Sequence, residues 1–127
     1  MNGNRYLFDT NAVIQLLRGN QELVKLTQTA EHISISIITQ LEFLSFPRLA
    51  ESDRSLFEVF LSRVGVCGLS HDNLTLVDQV VSFRTQRNLK LPDAIIAATA
   101  VTADLRLVTA DKALLAALPG SISFSVI

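Results

Sequence analysis

The sequence predicts an α/β domain, a parallel sheet covered by helices on both faces. Three observations predict it. Short apolar runs alternate with segments of helical periodicity along the chain. Ile33-Ser34-Ile35-Ser36-Ile37 alternates strictly and is β-branched at every second position, the pattern of a strand. Each strand is followed by an apolar-faced helix, as crossovers between parallel strands require.

The elements follow in order. Residues 5–8, Arg-Tyr-Leu-Phe, form a short buried strand that ends at Asp9. Residues 12–18 have helical spacing through Val13, Ile14, Leu16 and Leu17, and stop at Gly19-Asn20. Residues 22–30 make a second short helix, and 33–37 the second strand. Residues 39–46 turn helical and meet Pro47. Leu56, Phe57, Phe60, Leu61 and Val64 define an amphipathic helix over 53–64. Residues 64–69 are a candidate strand that Gly65 and Gly68 weaken. Residues 72–88 form another amphipathic helix on Leu76, Val77, Val80, Val81 and Phe83. Pro92 opens a helix over 93–103, where its missing N–H is not needed. A strand over 105–109, a short helix over 112–118 and a last strand over 122–126 complete the expectation.

The 127 residues fit one domain. A hydrophobic fraction of 49% and a mean hydropathy of +0.37 argue against disorder. A net charge of −1 excludes a strong nonspecific pull on nucleic acid, while leaving room for a local basic groove. The single cysteine, Cys67, forms no internal disulfide and reads as a buried core thiol. Neither a signal peptide nor an apolar run near the ~18 residues of a membrane span is present, so the expectation is a soluble cytoplasmic protein.

Ligands of such folds bind at the carboxyl edge of the sheet, where the helices after the strands begin. Four acids belong to that edge. Asp9 follows the first strand, and Glu42 lies in the first turn of the helix after the second. Asp93 starts a helix, and Asp111 follows the strand after it. With right-handed crossovers all four share one edge. Singly, each has a capping reading. Asp9 and Asp111 precede helices, Thr39-Gln40-Leu41-Glu42 has capping-box spacing, and Asp93 suits a helix first turn. Together they repel. Two unit charges ~4 Å apart cost about 4 kcal/mol at an effective dielectric near 20, so the cluster calls for protonation or a cation. All-oxygen ligands favour Mg²⁺ or Mn²⁺ over zinc. A carboxylate-held Mg²⁺ typically serves a phosphate substrate.

Leu7-Phe8-Asp9-Thr10-Asn11, Thr39-Gln40-Leu41-Glu42, Pro92-Asp93-Ala94-Ile95-Ile96-Ala97-Ala98 and Leu107-Val108-Thr109-Ala110-Asp111 resemble, in that order, the four motifs of the PIN-domain nucleases. Their spacing resembles the VapC-type toxins of toxin–antitoxin pairs. The resemblance implies a three-layer α/β/α sandwich around a parallel sheet and Mg²⁺- or Mn²⁺-dependent endoribonuclease activity. It also implies a homodimer silenced by a cognate antitoxin. The family's carboxylates fall on Asp9, Glu42, Asp93 and Asp111, and its supporting polar positions on Asn11 and Thr109. Asp9, Asp93 and Asp111 would hold the metal directly or through water, and Glu42 would bind a second metal or orient the attacking water. Phe46 departs from the pattern, standing where many relatives carry a small residue.

Arg84, Arg87 and Lys90, spaced by three, read either as an RNA-phosphate grip beside Asp93 or as a solvated helix end. His32 and His71 read as structural or exposed. No nucleophile elbow, Walker loop or dinucleotide fingerprint is present. The residues alone leave open an RNA-processing or DNA nuclease on the same fold and a non-catalytic binding module. Against a phosphatase or receiver domain, the chain has no second acid beside Asp9 and no suitably placed lysine after a later strand.

Overall fold

In the computed structural model, which describes residues 3–126, the strands are β1 (Arg5–Phe8), β2 (His32–Ser36), β3 (Gly65–Cys67) and β4 (Arg106–Val108). The helices are α1 (Thr10–Leu17), α2 (Gln21–Thr29), α3 (Ile37–Leu44), α4 (Glu51–Leu61), α5 (Leu74–Gln86), α6 (Leu91–Thr102) and α7 (Lys112–Ala117). The strands are all parallel, in the order β3-β2-β1-β4. None of the described helices is long and apolar enough to cross a membrane.

The alternation of side chains along β1 divides the core. Leu7, level with Leu107, faces α5, α6 and α7, where Leu76, Phe83, Ala97 and Leu114 complete one cluster. Tyr6 and Phe8, with Ile35 and Val108, face the other way, onto Val13, Leu23, Phe43 and Phe57 of α1 to α4. Both faces are thus covered, which is why β1 reads as a continuous apolar run. The three-layer α/β/α expectation holds.

β2 keeps its predicted alternation, with small polar residues on the α5–α6 side. Ser34 Oγ lies 2.6 Å from His32 Nε2, and Ser36 Oγ accepts from the Ile38 N–H. Gly65 fits β3 because of them: a Cβ there would stand 2.6 Å from Ser34 Oγ. The glycine that weakened the strand signal is what lets the strand pair. Cys67 is half-buried rather than fully buried, and burial raises its thiol pKa.

The predicted last strand is corrected. Only Ile122 bridges to Val108, through Thr109 N–H to Ile122 O and Ile122 N–H to Leu107 O. Beyond it the chain leaves the sheet. Phe124 enters the core, Asn20 donates to Ser125 O, and the Ser125 N–H donates to Glu22. Contacts at the α1–α2 corner replace ladder pairing.

The strand order reverses between β1 and β4. β1, β2 and β3 step outward in one direction, and β4 returns to the opposite side of β1. The loops after β1 and β4 therefore part to opposite faces, and a crevice opens at their carboxyl ends.

Candidate metal centre

Asp9 and Asp111 stand on the two sides of this crevice. Phe8 is in register with Val108, so Asp9 and Thr109 emerge level from neighbouring strands. Asp9 is the N-cap of α1, its Oδ1 accepting from the Ala12 N–H at 2.8 Å. Its Oδ2 accepts from the Thr109 hydroxyl. Asp111 is the N-cap of α7, accepting from the Leu114 N–H at 3.0 Å. The Asp111 N–H in turn donates to Thr109 Oγ1 at 3.0 Å. One fully buried threonine thus joins the two aspartates. The capping reading is correct for both, and it leaves Asp111 Oδ2 without a hydrogen bond among the described residues.

Asp93 and Glu42 complete the ring. Asp93 lies in the first turn of α6, two residues inside its start at Leu91. It caps nothing: the N-cap is Lys90, which makes no side-chain cap. Glu42 sits in the second turn of α3, not the first, and the capping box with Thr39 does not form. Ser36 caps α3 instead, because the helix starts directly at the strand's end. Thr39 is buried inside the helix. Glu42 Oε1 accepts from Thr10 Oγ1 at 2.6 Å, and Thr10 Oγ1 is 3.2 Å from Thr39 Oγ1. Thr10 is therefore a site residue that the sequence did not reveal, and it ties the start of α1 to α3.

Asp9, Thr10, Asn11, Glu42, Asp93 and Asp111 line one cavity of about 350 Å³. Its electrostatics are those of crowded acids. Asp9, 5% exposed, has its pKa pushed up to about 6. Burial is the main cause, opposed by the bonds from Thr109 and Ala12, with the charges of Asp111 and Asp93 adding to the rise. Asp93 is also raised, by burial first and then by Asp111 and Glu42, with Lys90 opposing. Among the described residues none of the four carboxylates is in an ion pair.

That donor set suits a hard divalent cation, whose charge would offset both the burial of the acids and their mutual repulsion. Among the described residues no three side chains close into a coordination cage. Mg²⁺ does not require one, because it keeps several waters and takes one or two carboxylates directly.

The other predicted residues separate. Asn11 is exposed at the cavity wall. Lys90 is close enough to Asp93 to lower its pKa. Arg84, Arg87 and Lys90 do not share a helix face, because α5 ends at Gln86 and Asn88 takes φ 57°. Arg84 donates to Leu89 O at 3.1 Å and fastens the α5–α6 turn.

Thr109 gives a direct test of the positioning. Thr109→Val keeps the shape but removes the donor to Asp9 and the acceptor for the Asp111 N–H. Mn²⁺ affinity, measured by titration calorimetry, is expected to fall about 10- to 100-fold. Affinity within twofold of the parent would show that the hydroxyl does not position the carboxylates.

Comparison with known proteins covers nearly the whole chain. The PIN domain family profile matches residues 6–119. A toxin–antitoxin complex from Klebsiella pneumoniae contains a chain 31% identical, with a TM-score of 0.76, covering 92% of this chain and 95% of that one. VapBC2 from Rickettsia felis, bound to a DNA fragment from its promoter, is 21% identical, with a TM-score of 0.74 and coverage of 94% and 96%. DNA-bound VapBC from Salmonella typhimurium is 19% identical, with a TM-score of 0.70 and coverage of 94% and 96%. These last two likenesses are of fold. No curated protein matches the sequence significantly.

Proposed function

The chain belongs to the PIN domain family, and on that premise we propose that it is a metal-dependent endoribonuclease, the toxin of a toxin–antitoxin pair. The observation that carries the reading is the convergence of Asp9, Glu42, Asp93 and Asp111 on one cavity at the strand-order reversal. The likeness to a chain of the Klebsiella pneumoniae toxin–antitoxin complex supports the toxin role.

Asp9, Asp93 and Asp111 would hold Mg²⁺ or Mn²⁺. When bound, such an ion supplies charge to a phosphoryl oxygen and a more acidic water. The chain's own groups do the positioning. Thr109 fixes one oxygen of Asp9 and the backbone of Asp111. Thr10 fixes one oxygen of Glu42, whose other oxygen has no hydrogen bond among the described residues and faces the role of orienting water or a second ion. Asn11 stands at the wall for substrate or water. Lys90 and Arg87, both exposed, would meet RNA phosphates beside Asp93.

The reading extends to partners. A cognate antitoxin would silence the site, and the protein would act in the cytoplasm as a homodimer. Leu74, Val77 and Val81 form an exposed apolar stripe on α5, 68%, 39% and 54% accessible, suited to a second copy. A light-scattering mass of one chain would remove the dimer from the reading.

The experiment is cleavage of a mixed-sequence RNA and its DNA counterpart with Mg²⁺, and again with EDTA. Cleavage of RNA alone, lost in EDTA, is expected. Cleavage of DNA would move the reading to a DNA nuclease on this fold, and EDTA-resistant cleavage would end the metal assignment.

A further inference from the structure

A second cavity, of about 400 Å³, opens beside the carboxylates, and Asn11 lines both. Its wall carries an aromatic ring held in an unusual way. Phe46 is 40% exposed. On its inner side it packs on Phe43, with ring centroids 5.8 Å apart and planes at 59°. Phe43 is itself stacked at 4.1 Å on the fully buried Phe57. The outer ring is thus anchored from behind and open in front, so a flat partner would stack on it without first ordering it.

The rim carries two exposed arginines, Arg18 and Arg48. Among the described residues neither is in an ion pair, although Asp53 lines the same cavity. Arg48 has φ 58°. Among the described residues the other two non-glycine residues with positive φ are Asn88 and Asp104, types that tolerate the left-handed region. Arg48 has no such tolerance, and strain of this kind concentrates at sites that use the side chain. An anionic chain approaching four carboxylates also needs cations close by, which these two supply.

We propose that this cavity is a nucleotide subsite, in which a base of single-stranded RNA next to the cleaved linkage stacks on Phe46 while Arg48 and Arg18 meet the flanking phosphates. The proposal rests on the nuclease reading above. A stacked base and two phosphates match the ring-and-cation pattern by which single strands are held. Stacking is tolerant of base identity, so the subsite sets the path of the strand and favours purines through their larger face.

The test is binding in EDTA, where nothing is cleaved. The probe is a fluorescein-labelled RNA of about ten nucleotides, spanning one such site, with a single 2-aminopurine moved stepwise along it. Phe46→Ala is expected to weaken binding about tenfold and to abolish the 2-aminopurine quenching seen at one position. Phe46→Tyr is expected to bind within about twofold of the parent, because the face is retained. Arg48→Gln is expected to lower the salt slope by about one phosphate's worth. Melting curves that match the parent confirm that each variant is folded. Should Phe46→Ala unfold, equal binding by Phe46→Tyr and Phe46→Leu would overturn the proposal instead. If the parent binds RNA and both substitutions leave affinity and salt slope unchanged, the subsite is refuted, the groove passes to a partner-protein segment, and the nuclease reading stands. If the parent neither binds nor cleaves RNA, the nuclease reading itself fails and the subsite with it.

Discussion

RNA cleavage by Asp93→Asn is expected to fall about a thousandfold, with the melting temperature unchanged or slightly raised. The size follows from the several kcal/mol that a correctly held metal ion contributes, at about 1.4 kcal/mol per factor of ten. Asp93 is the most informative of the four acids because its charge does little for the fold, adding about 0.3–1 kcal/mol through the dipole of α6. It accepts no cap bond, and α6 begins two residues earlier on Lys90, Leu91 and Pro92. Asp9 and Asp111 each hold a helix start, so their variants mix capping with chemistry. Burial, and then Asp111 and Glu42, already push the Asp93 pKa upward, so neutralising it relieves that cost rather than leaving an orphaned partner. The measurement is initial rate on a fluorogenic RNA at saturating Mg²⁺, with Mn²⁺ affinity by calorimetry. Activity equal to the parent's would remove Asp93 from the metal site.

Metal-free Asp9→Asn is expected to be more stable than the parent at pH 8, by up to about 3 kcal/mol. Asp9 has an ordinary pKa of 3.8 and a folded value of about 6. Between those values the native state holds more proton than the unfolded state, so stability falls as pH rises through that window. Above about pH 6 the buried charge costs roughly two pKa units, about 1.4 kcal/mol each. Asparagine removes the charge, keeps an acceptor for the Ala12 N–H and can donate to Thr109 Oγ1. The difference between the proteins should shrink as pH falls to 4, where the native Asp9 is protonated and the unfolded one, with its pKa of 3.8, partly so. Saturating Mg²⁺ should raise the parent and not the variant. Chemical denaturation at pH 4, 6 and 8 makes the comparison. A variant less stable than the parent at pH 8 would show that the carboxylate is chiefly a cap.

The carboxylate positions were legible because Asp9, Asp93 and Asp111 lie at helix starts and Glu42 one turn into its helix, and a parallel topology sends such starts to one edge. What was not legible was local. Ile37 and Ile38 continue a β-branched run, so the start of α3 at Ile37 was hidden, and Thr39-Gln40-Leu41-Glu42 imitated a cap. Thr10 escaped notice because its partners are 29 and 32 residues away on α3. The three-residue spacing of Arg84, Arg87 and Lys90 means a shared face only while the helix lasts. Asn88 was the available sign that it does not, since asparagine is the common non-glycine residue at a left-handed helix end. Residues 122–126 look like a strand by composition, but the polar groups of Asn20 and Glu22 draw their backbone away.

The placement of β4 beside β1 also sets when the site comes into being. The bond from Thr109 to Asp9 spans 100 residues of sequence, and Asp111 lies beyond it. A chain emerging from the ribosome through α6 carries Asp9, Glu42 and Asp93 but neither Thr109 nor Asp111. Domains take shape from the N-terminal side during synthesis, and closing so long a loop comes late. The complete centre therefore waits on the synthesis of β4 and the start of α7, and until they arrive the growing chain carries only part of the carboxylate set.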